Sequence, residues 1–291
     1  MVSSTAAKIT FQRIFVPTDF SDISQRALDY AKSIARQYGS EILLAHVSQP
    51  IYPIGPPEGS WIDETEILQR REQQLEQMGA ELRSEGFNAR SISAAGLLED
   101  ELVASVQREK VDLIVLGTHG KTGLARFFFG SDAEDLLRHA SSPVLVVGPA
   151  AVPAGTQAWH PRDVLCASDL DPNAAPIAAF AFMLASGYQA AFTLLHVEDS
   201  ARKVNEEDFA QFERALIQLM PEDHGPIPAL HTLLTDKISG HAIVKLAQER
   251  NSDLIVIGAH RASSAATHLM RGIAPQVFAE ASCPVMVLQE P

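Results

Sequence analysis

Cysteine is scarce in this sequence, which has only Cys166 and Cys283 among its 291 residues. The two lie far apart, and neither belongs to a Cys-x-x-Cys motif or to a metal-ligand spacing. A disulfide framework and a cysteine metal centre are therefore not expected. We expect two buried, reduced thiols in a reducing compartment.

Basic residues are also in short supply, with 23 Lys and Arg against 36 Asp and Glu and a formal net charge of −13. This balance argues against a nucleic-acid partner and against an anionic membrane surface. It does not exclude a small anionic ligand, because a loop of backbone N–H groups binds phosphate without net positive charge.

Long hydrophobic runs are missing as well. The most apolar helix-length stretch, residues 174–185, has twelve residues, whereas a membrane-spanning helix needs about 20. The amino terminus has no basic flank followed by a long apolar segment, so no secretory signal is expected. These features predict a soluble, cytoplasmic protein without a membrane partner.

The chain consists of two copies of one pattern. Residues 15–21 (FVPTDFS) match 165–171 (LCASDLD), and 42–47 (ILLAHV) match 192–197 (FTLLHV), both with an offset of 150. The pairs 112–117 with 253–258 and 142–147 with 283–288 share an offset of 141. Four blocks in constant order make chance similarity very improbable. The predicted domains are 1–149 and 162–291, joined by a linker at 150–161 that is rich in proline, alanine and glycine.

Short apolar runs alternate with helical patterns in each copy. The strands are apolar on both faces, which is typical of a parallel sheet covered by helices on each side. Strand–helix alternation with right-handed crossovers gives a doubly wound α/β fold. We therefore predict two tandem doubly wound five-stranded parallel α/β domains. The predicted strands are 12–17, 41–47, 89–94, 112–117 and 143–148 in the first copy, and 163–168, 190–197, 229–234, 253–258 and 284–288 in the second.

Only the first copy keeps a set of glycines after its fourth strand. Gly117 and Gly120 are followed, after nine residues, by Gly130 and Ser131. Without a β-carbon, glycine permits positive φ and lets backbone N–H groups approach an anion closely. Ser131 adds a hydroxyl at the start of the predicted helix 131–140, where the helix dipole favours negative charge. One anion site per chain follows from this asymmetry.

Three segments of the first copy should converge beyond the carboxyl ends of the strands, where ligands of open α/β sheets bind. They are Val16 to Asp19, Ala45 to Val47, and Gly117 to Gly120 with Gly130 and Ser131. The proline-rich loop 49–60 follows the second strand and lies largely in the stretch that the second copy lacks. It is either a stiff surface excursion or a segment that closes over a ligand.

At this constellation the chain resembles the universal stress protein family. The residues that carry the resemblance are Val16-Pro17-Thr18-Asp19, His46-Val47, the glycine–serine pattern from Gly117 to Ser131, and the closing Ser142-Pro143-Val144. The resemblance covers both halves and implies a tandem member with the adenine nucleotide alpha hydrolase-like fold. Members with this motif bind ATP, so the resemblance implies ATP as the ligand and leaves open whether magnesium accompanies the phosphates.

The resemblance also implies a role for each residue of the site. Asp19 and Val47 would face the adenine and ribose, while Pro17 and Leu116 would shape the pocket beside Thr18. The phosphates would be held by Gly117, Gly120, Gly130, Ser131 and the backbone of Asp132.

Simpler structural roles compete with several of these assignments. The alternative for Asp19 is a cap of the helix 22–38, and the alternative for Val47 is a core residue. Ser131 with Glu134 forms a capping box that needs no ligand. The histidines His46 and His119 recur in the second copy as His196 and His260, which favours a structural role over catalysis.

Asp132 departs from the family pattern, which has a small apolar residue after the glycine–serine pair. A carboxylate ~4 Å from a phosphate would cost about one to a few kcal/mol unless it turned to solvent. Lys121 and Arg126 are available to offset that repulsion.

In the second copy Arg261 replaces Gly120, Arg271 replaces Gly130, and Gly272 replaces Ser131. The guanidinium groups of the two arginines would occupy the space of the anion. We therefore expect the second half to bind no ATP and to act as scaffold or interface. The resemblance further implies that strands 143–148 and 284–288 pair within the chain as a pseudo-dimer, and that two chains form a homodimer.

One helical pattern, residues 172–187, carries no charged residue, unlike its counterpart 22–38. A helix that is apolar all round is normally covered all round. We expect it to pack against the other half of the chain or against another chain, the alternative being an exposed alanine-rich helix.

Three functions stay open from the sequence. The first is an ATP-binding stress or signalling module, the second a slow ATPase or phosphotransferase, and the third an interaction scaffold without nucleotide. A catalytic base, a metal carboxylate and a water-positioning group are not evident in the spacing, and no Walker-type loop is present. The intact first loop argues against a pure scaffold, so the binding module is favoured and no catalytic residue is assigned.

Overall fold

The computed structural model describes residues 9–48, 64–118, 142–154, 158–168, 174–199, 206–219, 230–235, 240–259 and 273–289. The described strands are β1 (Arg13–Pro17), β2 (Glu41–Ser48), β3 (Ala89–Ala95), β4 (Leu113–Gly117), β5 (Val144–Val147), β6 (Asp163–Ala167), β7 (Ala191–Asp199), β8 (Leu230–Thr235), β9 (Leu254–Ala259) and β10 (Val285–Gln289). These ten strands form one sheet in the order β3-β2-β1-β4-β5-β10-β9-β6-β7-β8.

Each half of the sheet is a parallel five-stranded unit with the same internal order, 3-2-1-4-5. The two halves meet at β5 and β10, which run antiparallel with Val146 opposite Val285. The predicted doubly wound architecture is therefore confirmed, and so is the predicted pairing of the last strands within one chain. The observed strands agree with the predicted ranges to within two residues at either end.

The described residues contain seven helices, distributed over both faces of the sheet. The helices are α1 (Asp22–Tyr38), α2 (Glu64–Ser84), α3 (Leu98–Arg108), α4 (Ala175–Tyr188), α5 (Glu206–Leu219), α6 (Gly240–Arg250) and α7 (Ala274–Glu280). One face carries α1, α2, α4 and α5, whose apolar side chains form a single core across both halves. The other face carries α3, α6 and α7 over a second core. The predicted helix 131–140 and the loop 49–60 lie outside the described residues.

Helix α1 leads directly away from the candidate site and has well-defined ends. Ser21 caps its amino terminus by accepting a hydrogen bond from the Ser24 N–H, and Gly39 ends it in the left-handed conformation. Its apolar residues, among them Ile23 and Ile34, face the sheet and are buried. The Ser21 cap therefore fixes where the helix starts relative to the end of β1.

The segment between the two halves runs along α1. The Arg26 guanidinium donates to the carbonyl of Ala151 at 3.1 Å, and the Tyr30 hydroxyl donates to the carbonyl of Val152 at 2.5 Å. Further along, the Trp159 N–H donates to Ser33 Oγ at 2.9 Å. Polar positions of α1 thus bind the backbone of the described linker residues, which are part of the packed structure.

Helix α4 has no charged side chain and is covered mainly by α5 and by the strands beneath it. Phe180 and Phe182 are only partly exposed and pack against the core. At the helix end, the Tyr188 ring lies 5.9 Å from the Tyr38 ring of the first half. The expectation that this helix contacts the other half is met at its carboxyl-terminal end, where Tyr188 is buried.

Candidate functional site

The carboxyl ends of β2, β1 and β4 lie side by side at one edge of the sheet. In the first half the chain fills strands outward from β1 through β2 to β3, and then from β4 to β5 on the other side. The strand order therefore reverses between β1 and β4, which pair directly through Phe15 and Ile114. Asp19 follows β1 and Thr118 follows β4, so these residues flank the position where open α/β sheets bind ligands.

The loop after β1 is organised by its own hydrogen bonds. The Thr18 N–H donates to the carbonyl of Ala45 at 2.8 Å, extending the sheet by one bond beyond Pro17, the last residue of β1. The Thr18 hydroxyl lies 3.0 Å from Ser24 Oγ and accepts from the Phe20 N–H, also at 3.0 Å. The buried threonine therefore joins the end of the strand to the first turn of α1.

Asp19 lies in the turn between β1 and α1 with a fixed carboxylate. Its Oδ1 accepts hydrogen bonds from the Ser21 N–H at 3.0 Å and from Ser21 Oγ at 2.5 Å. The helix itself is capped by Ser21. The alternative in which Asp19 is the helix cap is thus wrong, because Asp19 orients the capping serine instead. This Asp-x-Ser turn was not predicted from the sequence, although the spacing of Asp19 and Ser21 signals it.

The side chains of Val47 and Leu116 lie in the hydrophobic core. Val47 is 9% exposed and Leu116 is 3% exposed, and both belong to the core beneath α3. The alternative that Val47 is a core residue is therefore correct for its side chain. Any contact between Val47 and a ligand must come from its main chain, while Leu116 supports the floor of the site from below.

The main chain of Val47 faces the space beyond the end of β1. The backbone N–H and C=O groups of successive residues point alternately to the two sides of a strand. The Ala45 carbonyl points to β1, where it accepts a hydrogen bond from the Thr18 N–H. The Ser48 carbonyl points the other way and accepts from Gly96, next to β3. Val47 therefore shares the direction of Ala45. The last pair of the β1–β2 register is Pro17 with Ala45, so Val47 projects past β1.

Gly117 is required for packing. A β-carbon at this position would lie 2.9 Å from both the carbonyl oxygen and Cγ1 of Ile23, in the first turn of α1. Gly117 is not among the described glycines with positive φ. We expected the glycines to permit turns or the close approach of an anion. At Gly117 the structure gives a second reason for glycine, which is the close contact between the end of β4 and α1.

His46 has a structural role that recurs in the second half. Its Nδ1 lies 2.8 Å from the carbonyl oxygen of Thr18, and Nδ1 of His196 lies 2.9 Å from the carbonyl oxygen of Ser168. Since a carbonyl only accepts, Nδ1 carries the hydrogen in both rings. The two imidazoles hold equivalent strand-end loops, as the recurrence in the sequence predicts for this pair.

The rest of the predicted phosphate loop, namely Gly120, Gly130, Ser131 and Asp132, lies outside the described residues, as do Arg261 and Arg271 of the second copy. Pro17, Thr18, Asp19, Val47, Leu116 and Gly117 are described, and the structure brings them to one edge of the sheet. Among the described residues, no group of three or more His, Cys, Asp or Glu side chains is arranged to hold a metal ion. Nor is any helix of that part of the chain long and apolar enough to cross a membrane.

Comparison with known proteins identifies both halves. The model of the universal stress protein family matches residues 10–148 and 161–289. Universal stress protein MJ0531 of Methanocaldococcus jannaschii is 36% identical over 139 residues, covering 47% of this chain and 82% of its own length. A universal stress protein of Mycolicibacterium smegmatis is 24% identical over 293 residues and covers 95% of this chain and 96% of its own.

The tandem arrangement also has a counterpart among solved structures. The crystal structure of a universal stress protein from Archaeoglobus fulgidus aligns with a TM-score of 0.71 at 21% identity, covering 96% of each chain. At this identity the likeness concerns the fold, and it extends over both halves.

Proposed function

The chain belongs to the universal stress protein family, and we propose from this premise that its first half binds one ATP molecule at the carboxyl edge of β1, β2 and β4. ATP occupancy would serve a stress-response or signalling role in the cytoplasm. The observation that carries the proposal is the main chain of Val47, which extends past the end of β1 beside Asp19.

Val47 offers the hydrogen bonds that adenine requires. Its N–H and C=O point to the same side, beyond the last β1–β2 pair. Adenine carries an exocyclic amine donor next to a ring nitrogen acceptor, so a strand edge with one acceptor and one donor matches it. Neither bond needs the Val47 side chain, which is buried in the core.

Asp19 is suited to the ribose. An acidic residue at the end of a neighbouring strand is a common partner of ribose hydroxyls in doubly wound folds. One oxygen of the Asp19 carboxylate is held by two hydrogen bonds from Ser21, so its direction is set before ligand arrives. A group fixed in advance loses less conformational freedom on binding.

The phosphates would then extend from Asp19 toward the end of β4. Gly117 brings this strand end into contact with the first turn of α1. The proposed phosphate ligands beyond it are Gly120, Gly130, Ser131 and the backbone of Asp132, from the spacing of the sequence. Magnesium bound with the phosphates would reduce the repulsion from the Asp132 side chain.

The second half is proposed to bind no ATP. Its strand-end loop repeats the first one, because Ser168 N–H donates to the carbonyl of Leu195 at 2.9 Å and His196 bonds to Ser168. The difference lies in the replacement of Gly120 and Gly130 by Arg261 and Arg271. We propose that this half is a scaffold, joined through β10 to the ATP-binding half, and that two chains form a homodimer.

A binding module is favoured over an enzyme because the described site presents a carboxylate already bonded to Ser21 and a histidine already bonded to Thr18. Slow hydrolysis of ATP is the second candidate, and a scaffold without nucleotide is the third.

Mass spectrometry of the nucleotide released from purified protein, followed by a single-turnover assay, separates the three. Release of unmodified ATP in a molar ratio to protein close to one supports the binding module. Rapid release of phosphate in a single turnover would favour the enzyme, and absence of nucleotide together with no binding of added ATP would favour the scaffold. Gly120→Arg, which copies the second half into the first, is expected to abolish occupancy, whereas Gly272→Ser in the second half should leave it unchanged.

A further inference from the structure

Phe20 has an unusual backbone conformation for its place in the fold. Four described residues other than glycine have positive φ, and Phe20 is one of them at 63°. The other three, Lys110, Gln189 and Asn251, lie within two residues after the end of a helix, where the left-handed conformation is common. Phe20 instead precedes α1, and for a bulky side chain this conformation is unfavourable. Such conformations persist only where surrounding contacts impose them, and they concentrate at functional sites.

Two contacts impose the conformation of Phe20. Its N–H donates to the Thr18 hydroxyl at 3.0 Å, which closes the turn. Its ring lies on the His46 imidazole, with centroids 4.5 Å apart and planes inclined by 42°. His46 is itself fixed, because its Nδ1 bonds to the carbonyl of Thr18. The aromatic ring is therefore seated on a side chain that the same loop holds in position.

The conformation of Phe20 determines where Asp19 lies. Asp19 is the residue between Thr18, which is bonded to Ala45 of β2, and Phe20. One oxygen of its carboxylate accepts two hydrogen bonds from Ser21, the residue that follows the left-handed Phe20. A right-handed Phe20 would turn the following residues away and would change the direction of the carboxylate.

We propose that Phe20 is a positioning residue for Asp19: the contact of its ring with His46 holds the left-handed turn that directs the carboxylate toward the ligand. The ring does not itself contact the ligand. This inference rests on the proposed binding of ATP beside Asp19 and adds the residue that prepares the site.

The proposal makes a prediction that differs from that of an ordinary apolar contact. If the Phe20 ring acted by touching the ligand, affinity would fall with side-chain size, and glycine would be worse than alanine. If the ring acts by holding the turn, alanine loses the anchor and disfavours positive φ, whereas glycine adopts positive φ without an anchor. Glycine should therefore rescue what alanine loses.

The experiment is calorimetric titration of ATP into the full chain, with thermal unfolding of each protein to verify folding. Phe20→Ala should weaken ATP binding about tenfold, since the competent turn becomes a minor conformation. Phe20→Gly should stay within about threefold of the wild type. Lys110→Ala and Lys110→Gly, at φ 51° and outside the proposed site, provide the matched pair: their melting temperatures should differ, and their ATP affinities should not.

Each outcome is decisive. Failure of the folded wild type to bind ATP would contradict the proposed function and this inference with it. If the wild type binds, equal affinities of the two Phe20 variants, or weaker binding by Phe20→Gly than by Phe20→Ala, would contradict the positioning role and leave the proposed function intact. Recovery by glycine alone supports it.

Discussion

A β-carbon at Gly148 would lie 1.9 Å from the carbonyl oxygen of Phe278. Gly148 follows β5 in the first half, and Phe278 belongs to α7 in the second. Beside them, the Val152 N–H donates to the carbonyl of Ser282 at 2.8 Å. The two halves are therefore joined by close backbone packing in addition to the β5–β10 ladder, and this packing requires glycine at position 148.

Gly148→Ala should destabilise the protein strongly, because the methyl group would overlap a backbone carbonyl. Unlike a side chain, this carbonyl cannot move aside by changing its rotamer. We expect a loss of about 3 kcal/mol or more in the free energy of unfolding. Gly187→Ala is the control, since only the Tyr38 hydroxyl lies within 4.0 Å of its added carbon. In α4 that change should be neutral or stabilising by up to about 1 kcal/mol. Urea unfolding of both variants tests the difference, and equal stabilities would refute the packing argument.

Asp19→Asn tests the proposed role of the carboxylate with little effect on the fold. An asparagine oxygen still accepts from Ser21, so the turn and the melting temperature should be nearly unchanged. Loss of the charged partner of a ribose hydroxyl should weaken ATP binding about tenfold. Asp169→Asn, the equivalent change in the second copy, should leave ATP affinity as it is. Titration calorimetry of both variants measures this, and identical affinities would remove Asp19 from the site.

The two cysteines should be unreactive in the folded protein. Cys166 lies in β6 and Cys283 precedes β10, with exposures of 0% and 6%. Burial raises the pKa of each thiol to about 12 from 9.0. Because the reactive species is the thiolate, iodoacetamide at pH 8 should leave the native protein unmodified and add two groups after unfolding. Mass spectrometry of the intact chain counts the adducts.

The same shifts predict how stability changes at alkaline pH. A folded-state pKa above the unfolded value means that the folded chain holds the thiol protons more tightly. The thiols therefore do not lower stability below about pH 9, and the free energy of unfolding decreases as the pH rises from 9.0 toward 12. Cys166→Ala should reduce that decrease relative to the wild type. An alkaline stability profile that is the same in both proteins would contradict the prediction.

The fold was predictable because its signals are local and repeated. Strands such as β4 and β9 are continuous apolar runs. The constant offsets between the copies show that equivalent strands follow each other in the same order along the chain. The pairing of β5 with β10 followed from the family resemblance. Its antiparallel register and the contact of Gly148 with Phe278 arise from packing between the halves, which no sequence period encodes.

The positions of the described candidate residues at one edge of the sheet were predictable, whereas several of their contacts were not. The resemblance named Asp19 and Val47, and the structure brings both to the edge next to β4. The left-handed turn at Phe20 was missed, since it depends on His46, which is 26 residues away in the sequence and adjacent only in the fold. The role of Gly117 was also incomplete, because contact with Ile23 depends on how closely α1 approaches β4.

The stoichiometry of ATP binding tests the central claim most directly. Calorimetric titration of nucleotide-free protein should give one ATP per chain for the wild type and no binding for Gly120→Arg, because the first half alone retains the complete glycine–serine pattern of the proposed phosphate loop. Two ATP molecules per chain, or a wild type that takes up none, would contradict the account.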